Sequence, residues 1–222
     1  MSTRRFVRLG VGLALFGVSI ALMVRAGLGL SSWDVLHQGL AERTGLPLGL
    51  IINGTALLVL LAWIPLRQRP GIGTIANVVF VGVAAQLTLA VLPTPGHLVI
   101  RAGVLTAAIV LNAFATALYI GAGLGPGPRD GLMTGLAARG LSIRAVRTAI
   151  EVTVLALGWL LGGTVGTGTV LYALAIGPLV QFFLPKIGAP HVRQADPQRD
   201  PGKHPSRPSG RADRAVVCPD CA

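Results

Sequence analysis

Acidic side chains are rare in the first 190 residues of this chain. They are the residues there that could most readily bind a proton or a cation. These residues are Asp34, Glu42, Asp130 and Glu151. Asp34 and Asp130 occupy the same place in two similar stretches, GLGLSSWDVLHQGL (27–40) and GLGPGPRDGLMTGL (123–136). Carboxylates at membrane depth are candidates for proton sites, cation sites or gates. The alternative is structural, because a first-turn carboxylate stabilises its own helix by about 0.3–1 kcal/mol without any ligand.

Glu151 lies inside an apolar window, one helical turn after Arg147. An ionisable residue within a membrane span indicates a functional site. The spacing also favours a simple i to i+4 ion pair with Arg147 on one helix face. Both interpretations stay open from the residues alone.

Four amide side chains fall within apolar windows and are further candidates for a solute or ion pathway. They are Gln86, Gln181, Asn53 and Asn112. Amides of this kind also form hydrogen bonds between helices in membranes. The second use is the favoured interpretation for each of them.

No arrangement typical of an enzyme accompanies these residues. The sequence contains no spaced His/Cys/Asp cluster, no nucleophile elbow and no ATP-binding motif. The Gly-x-Gly-Thr stretches 71–74 and 166–169 follow no strand and lack the Gly-Lys-Ser/Thr of a phosphate loop. We therefore expect no catalytic residue, no metal site and no cofactor, and we interpret Gly71, Gly73, Gly166 and Gly168 as close-packed helix starts.

The composition places these residues in a bilayer. Hydrophobic residues make up 52% of the chain and charged residues 12%, and the mean hydropathy is +0.70. A spanning helix needs about 20 mainly apolar residues. Six windows satisfy this requirement: 6–25, 47–65, 74–92, 99–121, 145–162 and 168–185. The predicted fold is all-α and transmembrane, with six spanning helices.

The cationic residues predict the orientation of those spans. With the N-terminus in the cytoplasm, ten Arg and Lys residues of the body lie at the inner face, whereas Arg25, Arg43 and Arg101 lie outside. The net charge of +11 is thus a topology signal and a contact with anionic lipid, and it indicates no nucleic-acid partner. The protein is expected in the plasma membrane, with both termini in the cytoplasm.

The chain changes character from about residue 188. The stretch 188–222 is rich in Pro, Arg, Asp and Gly, which predicts a disordered cytoplasmic tail. Its final CPDC carries Cys218 and Cys221. Two cysteines supply half of a tetrahedral zinc site, so an unstructured end is favoured over a metal or redox role.

An internal repeat organises the body of the chain. Aligning Gly27 with Gly123 also matches the two aspartates, and with one deleted residue it goes on to match Gly71-x-Gly-Thr with Gly166-x-Gly-Thr. The predicted units are 1–95 and 96–187, each with three spans. Because three is odd, the second unit enters the membrane from the opposite side, which is the inverted-repeat plan of many secondary transporters. In both units a Gly-Leu-Gly, formed by Gly27 and Gly29 or by Gly123 and Gly125, predicts a helix break before a short half-helix.

These motifs resemble those of the YczE-like group of bacterial integral membrane proteins, which is related to the YitT family. The resemblance rests on AGLGLSSWDVLHQGLAERTGL (26–46) and IPLRQRPGIGT (64–74), and it covers about residues 5–186. The family usually has proline before Trp-Asp, where this chain has Ser32. The resemblance implies a multi-pass plasma-membrane protein, often described as a transporter, with no substrate and no catalytic residue to transfer.

The function expected from the sequence is secondary transport or channel-like passage of an unidentified small solute. Asp34, Asp130 or Glu151 would couple it to protons or a cation. The alternative is an accessory membrane protein that regulates another system without transporting anything. A polar, water-accessible path between the repeats would favour the first, and a sealed apolar interface would favour the second. The sequence indicates no oligomeric state.

Overall fold

The structure is a computed structural model that describes residues 3–187. Throughout this range the regular structure is helical and includes no strand, so the all-α prediction is confirmed. The helices are α1 (Thr3–Ala26), α2 (Ser32–Thr44), α3 (Leu48–Leu61), α4 (Trp63–Leu66), α5 (Ile72–Val91), α6 (Leu98–Gly121), α7 (Pro128–Ala137), α8 (Ile143–Leu160) and α9 (Thr167–Lys186).

Five of the described segments are long and apolar enough to cross a membrane. They are Thr3–Ala26, Leu48–Leu66, Ile72–Val91, Leu98–Gly121 and Thr167–Lys186. The prediction of several helices suited to spanning a membrane is therefore confirmed, and many large apolar side chains on them are exposed, as a lipid-facing surface requires. The sixth predicted window is α8, which carries Arg144, Arg147 and Glu151 within its 18 residues. With three charged residues, α8 is too polar to count as a span by composition alone, so the sixth span stays a prediction.

Helix α1 lies at the centre of the packing, against α5 and α6. Small residues allow this close approach. A Cβ added at Gly12 would lie 2.9 Å from the Tyr119 backbone nitrogen, and one at Gly17 would lie 2.6 Å from the Val81 carbonyl oxygen. Helix α9 packs on α6, α3 packs on α5, and the short helix α2 packs on α8.

The chain leaves α1 and α6 by the same backbone path. Gly27 and Gly123 have φ of 60° and 65°, and Gly29 and Gly125 have φ of 122° and 125°. Residues with a Cβ rarely adopt these φ values, which explains why glycine occupies each position. Each break leads into a short helix, α2 after an N-cap at Ser31 and α7 after Gly127 with Pro128 in its first turn.

The predicted tail, 188–222 with its CPDC end, lies outside the described residues. The division of the body at residue 95 stays a prediction.

Candidate solute cavity

A cavity of about 460 Å³ lies among α6, α7, α8 and α9, and it reaches α1 and the start of α2. Its wall combines apolar and polar groups. The polar side chains are Ser31, Ser32, Thr116, Tyr119, Arg129, Asp130, Arg147, Glu151, Thr169, Tyr172 and Gln181. The volume falls within the range of about 300–1,000 Å³ that is usual for small-molecule sites.

Asp130 belongs to this cavity wall. It lies in the first turn of α7 and is exposed, and its Oδ2 accepts a hydrogen bond of 2.9 Å from the Tyr119 hydroxyl on α6. Its carboxylate is therefore oriented by a neighbouring helix and stays accessible from the cavity.

Asp34, which occupies the equivalent place in α2, has a different environment. It is 4% exposed. Ser31 Oγ donates to its Oδ2 at 2.5 Å, and the ring Nδ1 of His37 lies 3.4 Å from its Oδ1. The Asp34 backbone N–H in turn donates to Ser31 Oγ at 3.3 Å. Asp34 is thus held within the first turn of its own helix, as helix capping predicts.

Arg129 belongs to the second repeated motif, contacts Trp33 of the first, and is a cavity residue that sequence reasoning missed. Its guanidinium carbon lies 5.7 Å from the centroid of Phe16 and 5.5 Å from that of Trp33, which are cation–π distances. The carboxylates of Asp34 and Asp130 both attract its positive charge. The repeat could have identified it, because Arg129 aligns with Trp33 and is therefore expected in a short helix and not in a loop.

Arg147 and Glu151 also line the large cavity from α8. The i to i+4 spacing does not produce the expected contact. Within residues 3–187 the ion pair present is His37 with Asp34, and none joins Arg147 to Glu151. Both charges therefore face the cavity without a protein counter-ion at pairing distance.

Gln181 lines the large cavity, whereas the other three amides bond elsewhere. Gln86 Oε1 accepts from the Gly49 N–H at 3.0 Å, and Asn53 Oδ1 accepts from the Gly82 N–H at 3.0 Å. These two side chains connect α3 and α5 in opposite directions.

Asn112 connects three helices in the buried interior. Its Nδ2 donates to Ser19 Oγ on α1 at 2.7 Å, and its Oδ1 accepts from the Tyr172 hydroxyl on α9 at 3.0 Å. Asn112 is 1% exposed, so these bonds satisfy polar groups that water does not reach. Asn112 therefore forms hydrogen bonds that hold α6 to α1 and α9.

The glycine motifs contact one another crosswise between the two half-chains. The Gly73 N–H donates to the Leu124 carbonyl at 2.8 Å, and the Gly168 N–H donates to the Leu28 carbonyl at 2.8 Å. Each helix break therefore packs on the Gly-x-Gly-Thr of the other half. A Cβ at Gly71 would collide with the Leu124 carbonyl oxygen, and one at Gly166 with the Leu28 carbonyl oxygen.

A much smaller cavity of about 30 Å³ lies beside α2, α3 and α5. A wider groove of about 760 Å³ along α6 and α9 is lined by apolar residues and Thr106, and it contains no charged side chain. Trp33 and Arg129 line both the small cavity and the large one. At the repeat offset of 95 or 96, residues of the small cavity match residues of the large one. The matches are Ile20 with Thr116, Trp33 with Arg129, His37 with Met133, Ile52 with Arg147, Ala56 with Glu151, Asn77 with Tyr172, Val81 with Ile176, Pro128 with Ser32 and Arg129 with Trp33.

Comparison with known proteins agrees with the resemblance in the sequence. The family model described as "Family of unknown function (DUF6198)" matches residues 3–185. An uncharacterized protein of Haemophilus influenzae is 43% identical over 81% of this chain and 84% of its own length. The "Uncharacterized membrane protein YczE" of Bacillus subtilis is 36% identical over 80% of this chain and 83% of its own. The uncharacterized protein YyaS of the same organism is 28% identical over 82% and 92%.

No solved structure matches the chain. The extent of the family match and the identity to YczE over most of both lengths confirm the resemblance and the assignment to a membrane. The chain belongs to the DUF6198 family and is similar over most of its length to the membrane protein YczE.

Proposed function

We propose that this protein is a secondary transporter that carries a small solute by opening two cavities in turn, one toward each side of the membrane. The observation that supports it is the pair of cavities, about 460 and 30 Å³, whose walls use equivalent positions of the repeat and meet at Trp33 and Arg129. Alternating access requires a path to each side of the membrane, built from equivalent positions of the two repeats, and the two cavities are the candidates for these paths.

We infer further that the two half-chains are inverted three-span repeats, 1–95 and 96–187. The crossed hydrogen bonds from Gly73 and Gly168 support this relation, because each half repeats the contact of the other. The paired φ values at the two Gly-Leu-Gly breaks support it as well.

In this proposal α8 is the sixth span. Its 18 residues extend about 27 Å at 1.5 Å per residue, close to the hydrocarbon thickness of about 30 Å. Arg147 and Glu151, two of its three charges, line the cavity. Charged residues in spans are tolerated where they face a water-filled cavity, so the composition of α8 fits a span at a solute path.

We place both termini in the cytoplasm and the protein in the plasma membrane, with basic residues at the inner face against anionic lipid. The wall of the large cavity extends from Ser31 and Thr169, near the external ends of α1 and α9 in this topology, to Gln181 near the cytoplasmic end of α9. We infer that this cavity is the cytoplasmic path and that the small cavity is the external path in its closed form.

Asp34 and Asp130 are the proposed coupling or gating carboxylates. In the described state Asp130 lines the large cavity, whereas Asp34 is 4% exposed and lines neither cavity, although Trp33 and His37 of the same helix line the small one. Opening of the external path would exchange these environments, so that each aspartate meets water in one state. Each aspartate would take up a proton or cation in one state and release it in the other, and this exchange would couple the ion to solute movement.

Matched Ala→Cys variants test the two paths. Ala173 lines the large cavity and Ala56 the small one. In a background with Cys218→Ser and Cys221→Ser, we expect an impermeant thiol reagent to label Ala173→Cys from the cytoplasmic side of inverted vesicles. It should label Ala56→Cys more slowly, and from outside in intact cells. Labelling of both from the same side would contradict the proposal.

A plug in the large cavity tests whether the two paths are coupled. Gly177 lines that cavity, and a Cβ there would meet open space, so Gly177→Trp is expected to fold and to favour the externally open state. Labelling of Ala56→Cys should then accelerate. Gly10→Trp is the matched control, because Gly10 also has open space and lies outside both walls. An unchanged labelling rate at Ala56→Cys would favour the accessory role over transport.

A further inference from the structure

The charged wall of the large cavity identifies the chemical class of its solute, in a step that rests on the proposed function above. Four charged residues line the cavity: Arg129 and Asp130 on α7, and Arg147 and Glu151 on α8. Two positive and two negative groups share one space. None of the four belongs to an ion pair within the part of the chain that the structure describes.

Charges that face a partly enclosed site without a counter-ion are costly to desolvate, unless a ligand or water completes them. For Arg129 the need is for hydrogen-bond partners, because the carboxylates of Asp34 and Asp130 already attract its charge from beyond pairing distance. Arg129 is half-buried, and its contacts with Phe16 and Trp33 are made through ring faces. Such contacts use none of the five N–H donors of a guanidinium. Those donors match a carboxylate, which an arginine binds through two parallel hydrogen bonds.

A ligand with a single sign of charge would satisfy only half of this wall. A simple anion at Arg129 would lie beside the Asp130 carboxylate, which follows it in the chain and lines the same cavity. A simple cation at Asp130 and Glu151 would meet the charges of Arg129 and Arg147. A molecule with a carboxylate and an ammonium group satisfies both signs with no net change in the charge of the site.

The rest of the wall limits the size and polarity of that molecule. Ile120, Met133, Ile176 and Val180 contribute apolar surface, which suits an uncharged side chain. The volume of about 460 Å³ fits a small organic molecule.

We propose that the large cavity binds a small zwitterion of the amino-acid type, with its carboxylate on Arg129 and its ammonium group between Asp130 and Glu151. The repeat explains why the site lies on one side. Ile52 and Ala56 stand where Arg147 and Glu151 stand in the second half, so the closed path offers no second set of charges.

Binding to the purified full-length protein in detergent tests this assignment without any transport step. The probes are the neutral L-amino acids, each beside its decarboxylated amine and its desamino acid, measured by calorimetry and by thermal shift. We expect at least one amino acid to bind, and both of its one-charge analogues to bind at least tenfold more weakly. An analogue that binds as well as its parent, or the absence of binding by every amino acid, would overturn the zwitterion assignment.

Variants connect the binding to the named residues. Arg129→Gln should weaken amino-acid binding at least tenfold, with partial recovery in Arg129→Lys, and Asp130→Asn should weaken it as well. Arg144→Gln is the matched control, since Arg144 is exposed on α8 outside the cavity wall. Equal loss in Arg144→Gln and Arg129→Gln, both verified as folded by size-exclusion chromatography, would contradict the assignment. Opposite-side labelling of Ala56→Cys and Ala173→Cys without amino-acid binding would leave the transport proposal standing and remove only the ligand class.

Discussion

Substitution of Gly29 by alanine tests the crossed contact between the two half-chains most directly. Gly29 has a φ of +122°, and a Cβ there would lie 2.7 Å from the Thr169 backbone nitrogen and 2.8 Å from Thr169 Oγ1. Alanine therefore faces two separate penalties at this position. The backbone must be held in a region that residues with a Cβ rarely adopt, and the start of α9 must move away.

Each penalty has a typical size. A residue held in a sparsely populated backbone region costs about 1–3 kcal/mol, and an inserted methyl group in a close-packed site costs about a further 1–3 kcal/mol. Gly29→Ala should therefore lower the free energy of unfolding by about 2–6 kcal/mol. This is a large share of the roughly 5–15 kcal/mol that is usual for folded domains.

Gly45→Ala is the matched control for the backbone penalty alone. Gly45 has a φ of +71° at the end of α2, and a Cβ there would meet nothing within 4 Å. Only the left-handed conformation opposes alanine there, at about 1–2 kcal/mol. The difference between the two variants combines the contact of Gly29 with Gly166 and Thr169 at the start of α9 and the less accessible backbone conformation of Gly29.

The assay is thermal unfolding of the purified variants in mild detergent, followed by tryptophan fluorescence. The chain has three tryptophans, and none of them is changed. We expect the midpoint to fall in the order wild type, Gly45→Ala, Gly29→Ala. Equal midpoints for the two variants would show that the Gly29 contact with α9 contributes no packing, and would remove one support for the crossed repeat.

Three further predictions use the same unfolding assay. Asp34→Asn should cost about 1–3 kcal/mol, because Asp34 is buried and bonded to Ser31 and His37, whereas Asp130→Asn should cost at most about 1 kcal/mol; the reverse order would contradict the assigned environments. Asn112→Leu should cost about 1–3 kcal/mol, since it leaves the buried Ser19 hydroxyl without its Asn112 partner, and a neutral effect would refute the bridging role. Deletion of residues 190–222 should leave the midpoint unchanged, because a chain of that composition buries little apolar area, and a lower midpoint would show that the tail packs on the body.

The sequence predicted the helices well because length and apolar composition decide them. The five candidate spans lie close to the predicted windows, and the helix breaks lie at the two Gly-Leu-Gly motifs. A break of this kind depends on local backbone preference, which glycine reports directly. The charge content of α8 was also visible, but only the cavity shows what Arg147 and Glu151 face.

The site itself was only partly predictable, because side-chain environment depends on packing between distant elements. Asp34 and Asp130 are equivalent in sequence, yet one is buried and the other lines the cavity. Gln86 and Gln181 are also equivalent, and only Gln181 reaches the cavity. Arg129 is one of the ten basic residues that the charge pattern assigns to the inner face, and its contacts with Phe16 and Trp33 could not be predicted because both rings lie far away in the sequence.

These differences have a common physical origin. The repeated positions are the glycines that allow close backbone approach, and those contacts are nearly identical in the two halves. The residues facing the cavities differ instead, with Trp33 opposite Arg129, Ile52 opposite Arg147 and Ala56 opposite Glu151. If the two paths use equivalent positions, a single charged site requires that the charged residues lie in only one half of the chain, here on α7 and α8. The glycines therefore account for the movement we propose, and the charges of α7 and α8 account for what would be carried.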